Sequence, residues 1–208
     1  MGNINIFNLN EIIEKNNASV FIETGTLYGE GVEHALKYNF KKIISIEIIP
    51  EVADKARQKF ANYSNVEIIT GHSTDVLKEI LPTIDENILF WLDAHFPGCD
   101  ANMKTYDEIK QMEYNLNLPL EDEINLISER VGKYQDAMIC DDLWIYEDVT
   151  QGNLTDFDTH CERHNHNIKL DEVNPGKDLT FLYDKFGNTH EFKKVYKHQG
   201  FVIVYPKL

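Results

Sequence analysis

Five short apolar runs alternate with segments of helical periodicity between Ser19 and Asp142. The runs are rich in β-branched and aromatic residues, and the segments between them place apolar side chains three and four positions apart. The predicted strands are 19–24, 43–48, 66–70, 88–93 and 137–142. This alternation predicts an α/β fold, a doubly wound parallel sheet with helices on both faces.

Further elements are predicted on both sides of the alternating region. The segment 8–17 favours a leading helix, and 153–167 favours another helix after the fifth strand. The runs 179–183 and 201–205 have the composition of strands and predict an antiparallel hairpin. The segment 96–120 is long for a simple connection, so we predict that it is an insertion that covers the substrate site.

The first predicted strand leads into a glycine-rich turn, FIETGTLYGEG at residues 21–31. In a doubly wound sheet such a turn lies at the carboxyl edge, where ligands bind. Gly25 permits a tight exit from the strand, and Gly29 and Gly31 let the backbone approach a ligand. Incidental glycines would give the same spacing, but Glu47 at the end of the second strand can accept the hydroxyls of a ribose. Together these features predict an adenosine-containing cofactor.

Two acids in the turn bear on the choice of cofactor. Glu23 and Glu30 would repel the pyrophosphate of a dinucleotide such as NAD. Glu23 suits instead the ammonium end of a methionine moiety. S-adenosylmethionine (SAM) therefore fits the turn better than NAD.

These segments resemble the class I SAM-dependent methyltransferases, in the branch that contains catechol O-methyltransferase and the macrocin-type sugar O-methyltransferases. The resemblance extends from about Val20 to Asp142 and rests on IETGTLYGEG, SIEIIPEVADKARQKF, VEIITGHSTDVLKEI, LFWLDAHF and ICDDLW. It implies a Rossmann-like, mostly parallel sheet of seven strands in the order 3-2-1-4-5-7-6, with the last strand antiparallel. It also implies that the residues after the third strand lie beside the adenine. The predicted cofactor residues are Glu23, Thr24, Gly25, Thr26, Gly29, Gly31, Glu47, Ile48, Gly71, His72, Ser73 and Asp93.

Three aspartates follow two of the predicted strands, Asp93 after the fourth and Asp141 and Asp142 after the fifth. Parallel strands end at one edge of a sheet, so these carboxylates are predicted to converge and to hold Mg²⁺ or another divalent cation. Alternatively, one of the pair caps the next helix and Asp93 hydrogen-bonds the cofactor or a loop. The resemblance favours the metal, because the metal-dependent O-methyltransferases carry acids at these positions.

Asp93 and His95 are the predicted catalytic residues. In the catechol-type enzymes a lysine base follows the first metal acid by three residues, and Phe96 stands at that position here. The near-neutral pKa of a histidine suits His95 to proton abstraction. His95 can equally pack against Trp91 or Phe96, and Asp93 is the alternative base.

A histidine-rich segment at 159–166 has a spacing that can also bind metal, through His160 and His164 on one helix face. We favour a solvated helix end, because nothing in the sequence connects this segment with the predicted cofactor site. The aromatic residues that are candidates for the acceptor pocket or for the core are Tyr106, Tyr114, Trp144 and Tyr146.

The net charge of −15 limits the partners. Nucleic-acid affinity rests on Lys and Arg that neutralise phosphates, so we predict no nucleic-acid partner. No apolar run reaches the roughly 18 residues of a membrane span, and no secretory leader precedes the first helix. Cysteines without CxxC spacing suit a reducing compartment. We predict a cytoplasmic protein with a small-molecule acceptor and leave the oligomeric state open, a homo-oligomer included.

The 208 residues suit one domain, and we predict a single methyltransferase domain over 1–208. Its predicted reaction is metal-assisted O-methylation of a small hydroxylated acceptor such as a sugar or a natural product. The alternatives are a metal-independent N- or O-methyltransferase, an NAD-linked oxidoreductase, and a binding protein that retains the fold without turnover.

Overall fold

The computed structural model describes residues 3–99, 103–104, 108, 114–147 and 178–207. The helices in these ranges are α1 (Leu9–Asn16), α2 (Glu30–Ala35), α3 (Pro50–Lys59), α4 (Ser73–Ile80), α5 (Tyr114–Asn117), α6 (Leu120–Ser128) and α7 (Thr180–Phe186). The strands are β1 (Val20–Thr24), β2 (Lys42–Glu47), β3 (Val66–Thr70), β4 (Ile88–Leu92), β5 (Ala137–Cys140), β6 (His190–Val195) and β7 (Phe201–Pro206). Short 3-10 turns lie at Ile4–Ile6, Leu81–Thr83 and Leu143–Ile145.

The strands of the described residues form one seven-stranded sheet in the order β3-β2-β1-β4-β5-β7-β6. Strands β1 to β5 pair in parallel, and β7 is antiparallel to both β5 and β6. The predicted fold class, strand order and antiparallel last strand are therefore confirmed.

The sheet separates two apolar cores, and this explains why its central strands β4 and β5 are apolar throughout. Phe21 and Ile43 pack on one face with α1, α2 and α3, whereas Ile22 and Phe90 pack on the other with α4, α6 and α7. A parallel strand covered on both faces needs a continuous apolar run rather than an alternating one. Each fully buried large side chain of this kind stabilises the fold by about 1.5–3 kcal/mol.

The prediction of a strand at 179–183 is wrong. These residues belong largely to α7, and the hairpin partner of β7 is β6. Leu182 and Phe186 are both buried and four positions apart, which is the spacing of one helix face. A five-residue apolar run does not distinguish a helix from a strand, because both bury it equally well. The helix predicted at 153–167 and the histidine-rich segment lie outside the described residues.

Backbone hydrogen bonds continue past the ends of the parallel strands and hold the strand exits together. The Gly25 N–H donates to the Ile46 carbonyl at 2.9 Å, and the Asp93 N–H donates to the Thr24 carbonyl at 3.1 Å. The Asp141 N–H donates in the same way to the Leu92 carbonyl at 3.0 Å. The residues that follow β1, β4 and β5 therefore share one edge of the sheet. Among the described helices, none has the length and apolar character needed to cross a bilayer.

Candidate functional site

A pocket of about 880 Å³, including its mouth, opens at the carboxyl edge of β1 to β4. Of the predicted cofactor residues, Thr24 and Gly29 do not line it, and all the others do. Its wall also contains apolar residues that are not among the predicted cofactor residues, such as Ile4, Val52 and Trp91. The predicted turn and the ends of the neighbouring strands thus form one concave site.

The glycines of the turn are required by the packing of the protein itself. A Cβ atom at position 31 would lie 1.7 Å from Glu23 Oε1, and one at position 29 would lie 2.5 Å from the Phe60 ring. Gly25 has a φ of +86° and approaches the Asp93 carbonyl, which a Cβ atom would meet at 2.6 Å. In each case the nearest atoms to the added Cβ are protein atoms. These glycines are therefore needed for close packing of the elements around the pocket, and they also leave room for a ligand.

A buried hydrogen-bonded chain lies under the pocket and contains Glu23. Glu23 is 2% exposed, and its carboxylate accepts a hydrogen bond from Ser45 Oγ at 2.5 Å. Ser45 Oγ in turn lies 2.6 Å from Thr26 Oγ1. Burial raises the pKa of Glu23 well above its usual value, the Ser45 hydrogen bond opposes this, and the nearby Asp93 and Glu47 carboxylates add to it. Glu23 therefore gives up its proton less readily than an exposed glutamate.

Glu47 joins the glycine turn to the exit of β2. Its Oε2 accepts the Leu27 N–H at 2.9 Å, and its Oε1 accepts the Ile49 N–H at 2.9 Å. Each carboxylate oxygen can accept a further hydrogen bond. Glu47 therefore shapes the backbone of the pocket and still has the capacity to bind two hydroxyl groups.

The residues after β3 form another part of the wall. Gly71, His72 and Ser73 line the pocket, and His72 Nδ1 lies 2.6 Å from Thr74 Oγ1. The buried Nε2 of His72 has no hydrogen-bond partner among the described residues. The Thr74 contact orients the ring and leaves Nε2 available to another group.

Beside the pocket, His95 lies between two aspartates. Its Nδ1 is 3.3 Å from Asp93 Oδ1, its Nε2 is 2.6 Å from Asp142 Oδ2, and one ligand atom from each of the three residues lies within 4.8 Å of the others. Asp142 is in the left-handed region, at φ 55°, and accepts a hydrogen bond from Trp144 Nε1 at 2.9 Å. His95 also packs edge-on against Phe96, with ring centroids 5.4 Å apart.

This arrangement changes the proton affinities of both partners. Burial acts to lower the pKa of His95, but the charge and hydrogen bond of Asp142 and the charge of Asp93 raise it to about 9. Burial raises the pKa of Asp93 to about 6, although the charge of His95 opposes the shift. His95 therefore holds its proton at neutral pH, which differs from the near-neutral pKa expected from its residue type.

Asp141 is outside this group of three and lines a second, smaller cavity. It is 4% exposed, and neither carboxylate oxygen has a well-aligned hydrogen-bond partner in the described part of the chain. Burial raises its pKa well above the usual value, and the charges of Asp93 and Asp142 add to the shift. Asp93 and His95 line both cavities, so the two spaces adjoin at the end of β4.

No protein-family model matches the sequence, and no curated protein matches it significantly in sequence. The fold is similar to that of an O-methyltransferase from Bacillus cereus solved with S-adenosylhomocysteine (SAH), at 17% identity, over 96% of this chain and 79% of that chain, with a TM-score of 0.53. It is also similar to the O-methyltransferase TomG from Streptomyces achromogenes, involved in tomaymycin synthesis and solved with SAM, at 15% identity, over 96% and 78% of the chains, with a TM-score of 0.54. A Streptococcus mutans protein solved with SAH is 16% identical over 100% of this chain and 99% of that chain, with a TM-score of 0.54.

This chain has the class I methyltransferase fold. At identities this low the similarity shows the fold alone. The reaction therefore has to be inferred from the residues of the candidate site. The ionisable groups at the carboxyl edge of this methyltransferase fold include acids in the turn after β1, at the end of β2 and after β4 and β5, together with His72 and His95.

Two polar residues near the site were not predicted from the sequence as site residues. Ser45 lies opposite Glu23 in the β1–β2 register, and Glu123 lies on α6, 1% exposed, on the wall of the second cavity. Burial raises the pKa of Glu123 to about 7, while the hydroxyls of Ser73 and Thr24 favour its charged form. Both residues interrupt an apolar pattern, because Ser45 divides a strand run and Glu123 shares a buried helix face with Ile127. A polar residue inside an otherwise apolar pattern was therefore the sequence feature that could have indicated them.

The candidate aromatic residues have different surroundings. Trp144 donates to Asp142, and Tyr146 lines the second cavity and packs against Phe181 at 5.7 Å between ring centroids. Tyr106 and the side chain of Tyr114 lie outside the described residues.

Proposed function

We propose that the protein is a SAM-dependent methyltransferase, formed by a single domain over 1–208, that methylates a hydroxyl of a small acceptor beside a divalent cation. The observation that carries this proposal is the position of Asp93, which lines both the cofactor pocket and the acid-lined second cavity. One carboxylate at the boundary lets a methyl donor and an acceptor hydroxyl be held next to each other, and such positioning is a large part of catalysis.

In this proposal the chain binds SAM through the residues of the first pocket. Glu23 would pair with the ammonium group, Glu47 would accept the ribose hydroxyls, and the backbone and ring at Gly71 and His72 would contact the adenine. Bound SAM supplies an electrophilic methyl group on a sulfonium centre. Glu23 and Glu30 both line the pocket, and their carboxylates, once ionised, would oppose the pyrophosphate of NAD.

The donor set fits a divalent cation such as Mg²⁺. Asp93, Asp141 and Asp142 offer hard oxygen ligands. The two oxygens of the buried Asp141 have no well-aligned hydrogen-bond partner in the described part of the chain, and a bound cation would balance their charge. A bound divalent cation supplies positive charge that lowers the pKa of an acceptor hydroxyl. Asp93 is the candidate to take the acceptor proton, and His95 takes that role only after it has lost its own proton.

A metal-independent methyltransferase is the second candidate, because one observation favours it. The 2.6 Å pair between His95 and Asp142 already brings a positive charge into the cluster. In that case His95 and the two aspartates would orient the acceptor alone. Activity that persists in excess chelator would support this candidate and remove the cation from the mechanism.

We also propose a small-molecule acceptor, covered by the segment 96–120, and a cytoplasmic location. The net charge of −15 supports the absence of nucleic-acid partners, because a polyanion would be repelled.

Calorimetry with SAH tests the cofactor proposal. Wild-type protein is expected to bind SAH, and Glu47→Ala is expected to weaken binding by about 2–3 kcal/mol, roughly 30- to 150-fold, because it removes charged hydrogen-bond acceptors. Glu51→Ala, in the exposed first turn of α3, is the matched control and should bind like wild type. Absence of SAH binding in the wild type, or full binding by Glu47→Ala, would contradict the proposal.

The raised pKa of Glu23 predicts that cofactor affinity depends on pH. Pairing with an ammonium group requires ionised Glu23, so binding below its raised pKa must release a proton and affinity must rise with pH. Calorimetry in two buffers of different ionisation enthalpy measures this proton release. Glu23→Gln is expected to bind more weakly and to lose this proton release, whereas Glu30→Gln should keep it. Equal proton release in wild type and Glu23→Gln would assign the effect to another group.

A further inference from the structure

The second cavity has an acid that comes from a helix rather than from the end of a strand. Its acidic wall consists of Asp93, Asp141, Asp142 and Glu123. Glu123 lies on α6 and is 1% exposed, so its carboxyl group cannot be solvated by bulk water. Among the described residues that line the cavity, His95 is the one basic side chain. The cavity therefore contains more acidic groups than basic ones.

The single basic side chain is already engaged. His95 contacts Asp93 at 3.3 Å and Asp142 at 2.6 Å, and no contact of this kind reaches Asp141 or Glu123 in the described part of the chain. The hydroxyls of Thr24 and Ser73 lie near the Glu123 carboxyl group. Within the described ranges, two of the four acids therefore have no cationic partner.

All four acids have a buried oxygen without a well-aligned hydrogen bond in the described part of the chain, but only Asp93 and Asp142 are paired with His95. Both carboxylate oxygens of Asp141 and the Oε1 atom of Glu123 have neither a cationic partner nor a well-aligned hydrogen bond within the described ranges. Leaving such groups unpaired costs several kcal/mol, so their burial points to a ligand that is bound there. Carboxylate oxygens that line one small cavity are the kind of ligand that hard divalent cations prefer.

We propose that Glu123 is a further ligand of the divalent cation, beside the aspartates after β4 and β5. This inference rests on the proposed function for the presence of a cation, but it concerns cation binding alone. Through Glu123, α6 would close the cation site from the helix side. The role of Asp142 would then be shared between the cation and His95.

Binding of Mn²⁺, followed by the loss of its free-ion signal in electron paramagnetic resonance, tests the proposal on the full chain. Glu123→Gln keeps the size of the side chain and removes its charge, and it is expected to weaken Mn²⁺ binding about tenfold or more. Asp122→Asn removes one charge from the neighbouring, half-buried position on α6 and is expected to stay within about twofold of wild type. Equal affinity of Glu123→Gln and wild type, or equal losses in the two variants, would overturn the proposal.

Two further measurements separate folding and cofactor effects from cation binding. If Glu123→Gln does not fold, Glu123→Asp keeps the charge and shortens the side chain, and it should weaken Mn²⁺ binding by a similar factor; an unchanged affinity would overturn the proposal. SAH binding is measured in parallel without metal. A wild-type protein that binds Mn²⁺ but not SAH would refute the methyltransferase function and leave the assignment of Glu123 to be judged by the variants, whereas a wild type that binds no Mn²⁺ overturns the assignment.

Discussion

Replacing Gly31 by alanine is expected to weaken cofactor binding strongly. A Cβ atom at this position would lie 1.7 Å from Glu23 Oε1 and 2.8 Å from its Cδ. Glu23 is buried and hydrogen-bonded to Ser45, so it cannot move aside without breaking that contact. We expect overpacking to cost about 1–3 kcal/mol of stability and SAH affinity, measured by calorimetry, to fall about 100-fold or more.

The double variant Gly31→Ala/Glu23→Ala separates the two parts of this effect. Removing the carboxyl group relieves the clash, so the thermal midpoint should recover while SAH binding stays weak. Gly132→Ala is a glycine control remote from the pocket; no atom lies within 4 Å of its Cβ position, but its φ of +87° should cost about 1 kcal/mol of stability without changing SAH affinity. Wild-type SAH binding by Gly31→Ala would mean that α2 does not pack on Glu23.

The second large effect is expected for Asp142→Asn, which should remove most of the activity while the fold and SAH binding remain. Asparagine tolerates the left-handed backbone at this position, and its side-chain oxygen can still accept the Trp144 hydrogen bond. It loses the negative charge that pairs with His95 and that would attract the proposed cation. We expect the rate of labelled methyl transfer at saturating SAM to fall about 100-fold.

A change in His95 provides a readout of Asp142→Asn that does not depend on turnover. The charge of Asp142 contributes to the raised pKa of His95, about 9, so this pKa should fall in the variant when it is followed by nuclear magnetic resonance. SAH affinity should stay within about threefold, because Asp142 does not line the cofactor pocket. Asp184→Asn, on the exposed side of α7, controls for the loss of one charge. Wild-type turnover by Asp142→Asn would exclude Asp142 from the reaction.

The fold was largely predictable from local patterns. Runs such as 43–48 and 88–93 were predictable as buried strands, because short, largely apolar stretches separated by amphipathic helices suit a sheet covered on both faces. The seven-strand order came from the resemblance to a family, since periodicity does not report which strands are neighbours. The wrong prediction of a strand at 179–183 also reflects a limit of local patterns, because a short apolar run fits a helix face as well as a strand.

The positions of the site residues were also predictable, but their contacts were not. Glu23, Glu47 and Asp93 all lie at or near strand ends, and parallel strands place those ends along one edge. The sequence could not show that Glu47 accepts two backbone N–H groups, or that His95 lies between Asp93 and Asp142. Such contacts depend on the directions in which side chains point after the strands end, and these directions are set by the tertiary structure.

The sequence by itself determined the α/β class, the glycine turn and the row of acids along one edge, because apolar periodicity and strand ends are local properties. Only the tertiary structure decided that Ser45 hydrogen-bonds Glu23, that the proton of His95 is held by Asp142, and that Glu123 lines the second cavity. These contacts join residues far apart in the chain, and their strength comes from burial, which exists only after the sheet and helices have packed together.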